Sequence, residues 1–229
     1  MAPLPEAGAV LVIADGAGSA ARATDAANLV AGIALAVAQE LVPPSVARWP
    51  ASTWEQGVED YVEIVTSRFA RAVQALEPDP DRASRSFRTT LTAVIATRRV
   101  VACVRIGDGF VVARRADRDL ALIVPPDRAG IYANETRFVD TAGTPEGMEA
   151  LVLDDPDVNG LALSSDGLRT FTLGARAGRP VDPNPEFVPW VLARVGEVDG
   201  VDRLLGALLA APQIVESTAD DLSVAAAAR

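Results

Sequence analysis

An α+β layered domain is the fold class this sequence predicts, and three observations carry it. Strand-like runs crowd the middle of the chain with short connections between them. Helical periodicity comes in pairs on either side. A strand stands near each end, at residues 8–14 and 222–227. Paired helices against antiparallel sheet are one of the few layered ways to bury one face of every element. The 229 residues, 49% hydrophobic, suit a single large domain over residues 1–229 better than two small ones.

Residues 8–14 are a short continuous apolar run closed by Asp15-Gly16, the pattern of a strand buried on both faces. A helix is expected from about Ala20 to Leu41, with Leu29, Val30, Ile33, Val37 and Leu41 at helical spacing and Pro43-Pro44 stopping it. A second helix is expected from Ser52, where Glu55 three residues on fits a capping box. Its stripe runs through Trp54, Val58, Tyr61, Val65, Phe69, Val73 and Leu76, and Pro78 and Pro80 end it. Residues 78–87 read as a loop. Thr89 to Thr97, Val100 to Ile106, Phe110 to Arg114 and Leu120 to Val124 then read as strands. Gly107-Asp108-Gly109 is a hairpin-turn signal and Asp117-Arg118-Asp119 another, so the set reads as an antiparallel meander. Residues 125–148 look irregular. Leu151 to Leu153 and Leu161 to Leu163 are further strands, and 176–185 reads as a loop rich in Gly and Pro. Helices are expected near 186–195 and 200–211, the latter with Leu204, Leu205, Leu208 and Leu209 on its apolar face.

Composition excludes several function classes. Lys and Arg number 21 against 31 Asp and Glu, a formal charge of −10, which disfavours nonspecific binding to nucleic acid or an anionic membrane. Arg98-Arg99 and Arg114-Arg115 read as solvated charges flanking strands. The chain has no histidine, which removes Ser-His-Asp and Cys-His nucleophile systems and zinc sites that need imidazole. Its single cysteine, Cys103, sits in an apolar run and reads as a buried, inert thiol. The longest apolar stretch, Leu29 to Val42, is interrupted by Gln39 and Glu40, too soon for a membrane span. With no secretory signal at the start, the cytoplasm is the expected location, and the sequon Asn134-Glu135-Thr136 carries little weight.

The chemistry lies in short acidic turns beside apolar runs: Asp15-Gly16, Asp166-Gly167 and Asp220-Asp221. A strand ending in Asp-Gly holds a carboxylate at the sheet edge, and the glycine lets the backbone turn. Carboxylates from distant parts of a chain that converge there suit hard cations, which prefer oxygen ligands. A competing motif overlaps the first turn. Gly16-Ala17-Gly18-Ser19-Ala20-Ala21 fits the G-x-G-x-x-A of nucleotide-binding folds. A second helix follows, however, where that fold needs a parallel strand.

The joint pattern is more specific than any one turn. Val12 to Ser19 opens a helix, Arg88-Thr89-Thr90-Leu91-Thr92 begins a strand, Ile106 to Phe110 joins two strands, Leu163 to Leu168 ends another, and Thr218 to Ser223 precedes the last. In this order and spacing the chain resembles the metal-dependent serine/threonine phosphatases of the protein phosphatase 2C family, most closely the bacterial branch, from about residue 8 to the end. The resemblance implies a four-layer α-β-β-α sandwich of two antiparallel sheets flanked by helix pairs. It implies hydrolysis of phosphoserine and phosphothreonine in proteins by a metal-activated water, with two Mg²⁺ or Mn²⁺ ions and a further one. Asp15 would bridge the two ions, the Gly16 carbonyl would ligate one of them, and Asp166 and Asp220 would complete the ligand set of the second ion. Asp108 matches the acid that helps bind a further ion, Asp221 the neighbouring Asn-or-Asp position, and Thr89 and Thr90 a structural hydroxyl motif. The implied partners are a phosphorylated protein and, in signalling, a Ser/Thr kinase, with no nucleic acid and no membrane.

Two departures qualify the resemblance. Members usually begin with a strand and a Gly-rich segment carrying an Asn-Asp or Glu-Asp pair and a phosphate-holding arginine; the segment Met1 to Gly8, with Pro3 and Pro5, is expected to contain neither. Arg22 is a candidate substitute, although a solvated arginine at a helix start is the plainer reading. Ala17 stands where some members carry a histidine acting as general acid. The alternative to an enzyme is a noncatalytic or truncated phosphatase-fold module that binds or regulates a partner.

Overall fold

In the computed structural model the described residues are 1–4, 8–42, 49–126, 136–176, 179–197, 201–216, 218 and 220–229. Among these residues eleven strands and seven α-helices follow in the order β1 (Ala2–Leu4), β2 (Gly8–Ile13), α1 (Ala23–Leu41), α2 (Ala51–Leu76), α3 (Pro80–Ser86), β3 (Leu91–Ala96), β4 (Val100–Ile106), β5 (Phe110–Arg115), β6 (Leu120–Val124), β7 (Glu149–Asp154), β8 (Val158–Ser164), α4 (Arg169–Thr172), β9 (Leu173–Arg176), β10 (Arg179–Pro183), α5 (Phe187–Glu197), α6 (Val201–Leu209), α7 (Pro212–Val215) and β11 (Val224–Ala228). One sheet has the order β1-β2-β3-β4-β7 and the second β11-β8-β5-β6, while β9 and β10 pair separately. Every pairing is antiparallel.

The four expected layers follow from side-chain alternation. Successive residues of a strand face opposite sides of its sheet. Val10, Ala93, Ala102 and Val104 face α1 and α2 in a cluster with Val30, Tyr61, Val65 and Phe69. Their neighbours Leu11, Val94 and Cys103 face the second sheet and meet Val111, Leu161 and Leu163. On the far side, Phe110, Val112 and Ala162 pack against Val188, Val191 and Leu192 of α5. The central strands β3, β4, β5 and β8 are therefore buried on both faces, which is why they read as largely apolar runs rather than alternating ones. Cys103 lies in the middle layer, and burial pushes its thiol up to about 12. The helix pair is locked by the Tyr61 hydroxyl, which donates to the Ala34 carbonyl at 3.1 Å.

Several expectations need correction. Gly107-Asp108-Gly109 is not a hairpin turn: β4 lies in the first sheet and β5 in the second, so the segment carries the chain from one sheet to the other. The strands from β3 to β8 are for the same reason not a simple meander, since β7 returns to β4 and β8 to β5. Residues 80–86 are helical rather than loop. Pro80 opens that helix at its first turn, where a missing N–H costs nothing, and the Asp79 carboxylate caps it by accepting from the Asp81 and Arg82 amides. No capping box forms at Ser52, because the helix starts one residue earlier with Pro50 at its cap and no side-chain cap. Helix α1 begins at Ala23, not Ala20. The Gly/Pro-rich stretch at 176–185 contributes β10, paired with β9, and Ala2–Leu4 forms an edge strand on β2 in which Pro3 is tolerated. A parallel strand beside β2 is missing from its sheet, which removes the nucleotide-binding reading of Gly16 to Ala21. Asn134 and Glu135 of the sequon lie outside the described residues.

Gly107 shows what the crossing between sheets demands. Its φ is 108°, and a Cβ there would lie 2.5 Å from Thr90 Cγ2. Gly107→Ala is expected to lower the unfolding free energy by about 1–3 kcal/mol. A urea midpoint that moves at constant slope would register it; an unchanged midpoint would show that the crossing relaxes freely.

Candidate metal centre

Register brings the acidic turns together. Ile13 pairs with Thr92, Leu91 with Ile106, Phe110 with Ser164, and Ser164 with Val224. The end of β2, the start of β3, the β4–β5 crossing, the end of β8 and the start of β11 therefore share one edge of the sandwich. Residues just beyond those termini face a cleft of about 280 Å³ lined by Asp15, Gly16, Ala17, Gly18, Thr90, Asp108, Thr136, Phe138, Asp166, Asp220 and Asp221. All five residues singled out from the sequence, Asp15, Gly16, Asp108, Asp166 and Asp220, line it, and Asp221 joins them.

Backbone and hydroxyl contacts fix each turn. The Thr90 hydroxyl accepts from the Asp15 amide at 3.1 Å, and the Asp15 carbonyl accepts from the Thr90 amide at 2.8 Å and the Thr89 hydroxyl at 3.0 Å. This is the structural part the Thr-Thr motif plays. A Cβ on Gly16 would lie 2.6 Å from the Ala23 carbonyl oxygen, so only glycine lets α1 start this close. Asp108 accepts from the Thr136 hydroxyl at 2.9 Å. Asp166 opens a 3₁₀ turn over Asp166–Leu168. Beside it the Ser165 hydroxyl donates to the Asp221 carbonyl at 3.2 Å and accepts from the Ser223 amide at 3.1 Å, tying the Asp166 turn to the Asp220-Asp221 segment.

Electrostatics in the cleft run in one direction. Burial, then the charges of Asp166, Asp221, Asp108 and Asp220, push the Asp15 carboxyl from its ordinary 3.8 up to about 7. Burial, then Asp108 and Asp220, raise Asp166 as well. The described lining contains no arginine or lysine to offset these charges. Among the described residues no three acids are drawn into a closed ligand cage; the carboxylates line a shared cleft instead, as mutual repulsion favours. An all-oxygen donor set with uncompensated negative charge fits hard divalent cations.

A linkage follows with a definite sign. Between pH 3.8 and about 7 the fold holds a proton on Asp15 that the unfolded chain has released. Unfolding free energy of the metal-free protein should therefore fall as pH climbs through that window and level off above it. Asp15→Asn should flatten the profile in urea titrations run with chelator present. An identical profile in the variant would remove Asp15 as its source.

The family model for protein phosphatase 2C matches residues 4–209. The chain belongs to that family. Among solved phosphatase structures, Stp1 from Staphylococcus aureus superposes with a TM-score of 0.62 at 12% identity, covering 99% of this chain and 86% of that one. PstP/Ppp from Mycobacterium tuberculosis gives 0.59 at 18% identity, covering 98% and 92%. The PstP catalytic domain solved in complex with two manganese ions gives 0.57 at 20% identity, covering 94% and 85%. At these identities the likeness speaks for the fold, here that of bacterial phosphatase 2C domains. No curated protein sequence matches significantly.

Within this phosphatase 2C fold, Arg22 is not in the cleft. Its Nε donates to Asp25 at 2.9 Å and its guanidinium lies 4.5 Å from the Phe87 ring centroid. Thr136, Phe138 and Ser165 carry no clear functional signal in the sequence. Thr136 and Phe138 come from a stretch without regular structure, and Ser165 is one of two adjacent serines with no periodic signal. Its place beside Asp166 was the one available hint. No described helix is long and apolar enough to cross a membrane.

Proposed function

We propose that this chain acts as one phosphatase domain, residues 1–229, that hydrolyses phosphoserine and phosphothreonine in proteins with divalent cations and water. The observation that carries the reading is the gathering of Asp15, Asp108, Asp166 and Asp220 on one cleft from four distant chain segments. Asp15, the Gly16 carbonyl, Asp166 and Asp220 would hold two ions, and Asp108 a further one. Mg²⁺ or Mn²⁺ bound there would supply Lewis-acid chemistry, lowering the pKa of water and drawing charge from the phosphoryl oxygens. The carboxylates contribute by positioning. Asp15 stands on a turn pinned at both its amide and its carbonyl. Asp166 and Asp220 are held in mutual register through Ser165. Ala17 at the rim offers no acid, and the chain has no histidine, so no imidazole is available to protonate the leaving serine or threonine oxygen. The manganese ions of PstP support this use of the fold. The partners are phosphorylated proteins and a counteracting Ser/Thr kinase, with the cytoplasm as the place of action.

The test is Mn²⁺-dependent phosphate release from a phosphothreonine peptide, ended by chelator and restored by Mg²⁺ or Mn²⁺. The second reading, a noncatalytic binding module, draws on the absence of any arginine or lysine among the described residues lining the cleft. Metal binding without turnover of any phosphopeptide would favour it.

A further inference from the structure

A groove adjoins the carboxylate cleft. It holds about 760 Å³, and Thr136 and Phe138 line both cavities. Beyond it a hollow of about 570 Å³ shares Ser84, Asp140 and Thr141 with the groove. Cleft, groove and hollow thus run on from one another. The combined volume suits a stretch of polypeptide rather than a single phosphate.

The groove supplies cations that the described lining of the cleft lacks. Arg88 and Arg137 line it. Arg88 is anchored at the rim, where its carbonyl accepts from the Ala17 amide at 3.0 Å, two residues before cleft-lining Thr90. Its guanidinium lies 6.0 Å from the Phe138 ring centroid, and its Nε donates to the Ser84 carbonyl at 3.1 Å. Among the described residues its terminal nitrogens make no further hydrogen bond. Among the described residues neither Arg88 nor Arg137 forms an ion pair. The groove also contains Asp140 and Glu146. Asp140 is committed, accepting from the Ala142 amide at 2.9 Å and the Thr144 hydroxyl at 2.5 Å. Among the described lining residues, two arginines therefore stand against one exposed uncommitted carboxylate, Glu146. Planar guanidinium groups on the wall of a peptide-sized track recognise carboxylates by paired hydrogen bonds.

Resting on the phosphatase reading, we propose that this groove seats the substrate segment beside the phosphorylated residue, and that Arg88 and Arg137 select segments carrying acidic residues. Specificity then comes from the groove, while the cleft performs the chemistry.

Steady-state kinetics on two phosphothreonine peptides, one flanked by glutamates and one by alanines, tests this. The expected kcat/KM ratio is about tenfold in favour of the acidic peptide, carried by KM. Arg88→Gln with Arg137→Gln should bring the ratio near one. Arg88→Lys with Arg137→Lys should keep part of it, and Arg88→Glu with Arg137→Glu should turn the preference toward lysine-flanked peptides. A ratio unchanged in the Gln and Glu variants would overturn the proposal. A separate arm needs no chemistry: a fluorescent unphosphorylated acidic peptide, followed by anisotropy without metal, should bind wild type more tightly than the Gln variant. If wild type fails to hydrolyse even p-nitrophenyl phosphate with Mn²⁺, the phosphatase reading falls, and the anisotropy arm still decides the groove. Equal binding there would overturn the assignment.

Discussion

Asp15→Asn is expected to cut Mn²⁺-dependent phosphate release by roughly 10²–10³, the scale of removing one positioned electrostatic group from a reacting centre. The same substitution should make the metal-free protein more stable at pH 8. Both outcomes follow from one arrangement. The Asp15 carboxylate is partly buried and faces Asp166, Asp221, Asp108 and Asp220, so its charge is costly to the fold unless a cation compensates it. An amide removes the cost and with it the ligand. Mn²⁺ should stabilise the wild type by mass action, about 2.7 kcal/mol at a hundredfold excess over Kd, and stabilise the variant far less. Initial rates and urea unfolding with chelator or Mn²⁺ measure the two sides. A variant that keeps its activity, or shows the wild-type Mn²⁺ shift, would dismiss Asp15 from the centre. Loss of activity with no gain in metal-free stability would mean that the acids repel less than their burial implies.

The acids were legible in the sequence because each sits where local rules speak clearly. An apolar run that ends in Asp-Gly marks a strand terminus whatever the sheet around it. The layered class was legible because strands buried on both faces leave continuous apolar runs such as 8–14 and 100–104. What local rules do not contain is which sheet a strand joins. Gly107-Asp108-Gly109 carries the same turn signal whether the chain folds back beside β4 or passes to the other sheet, and the second happens. Proline misled twice in the same way. Pro80 signals a stop, yet at the first turn of a helix it is compatible, and Asp79 supplies the cap. Pro180 and Pro183 suggested a loop, yet β9 and β10 form an isolated pair in which few ladder bonds are required. Residues defined by a partner remote in sequence left no trace. Ser165 matters because Asp221 and Ser223 are beside it, 56 and 58 residues away. Arg105 is a charged residue inside a strand, and it is buried.

That arginine carries the other large effect expected of a single substitution. Arg105 is 3% exposed and sits on β4 just before the crossing between sheets. One guanidinium nitrogen donates to the Gly109 carbonyl at 3.2 Å and to the Pro125 carbonyl at the end of β6. Another meets Glu149 of β7 at 2.5 Å. The side chain thus pins the Asp108-bearing segment to both sheets. Removing one partner of a buried charged network leaves the others unpaired, so Arg105→Ala is expected to cost about 3–5 kcal/mol. Glu149→Gln, at an exposed carboxylate, should cost far less, on the order of 1 kcal/mol. If the pin also sets Asp108, weaker Mn²⁺ binding should accompany the Arg105→Ala loss under conditions where the variant remains folded, and Arg105→Lys, which keeps charge without the fork, should fall between. Urea midpoints and Mn²⁺ titration of the three variants separate these outcomes. An Arg105→Ala loss below about 1 kcal/mol would show that water takes over the freed carbonyls, and that the crossing is held by Gly107 and Gly109 packing on Thr90 and Thr92 instead.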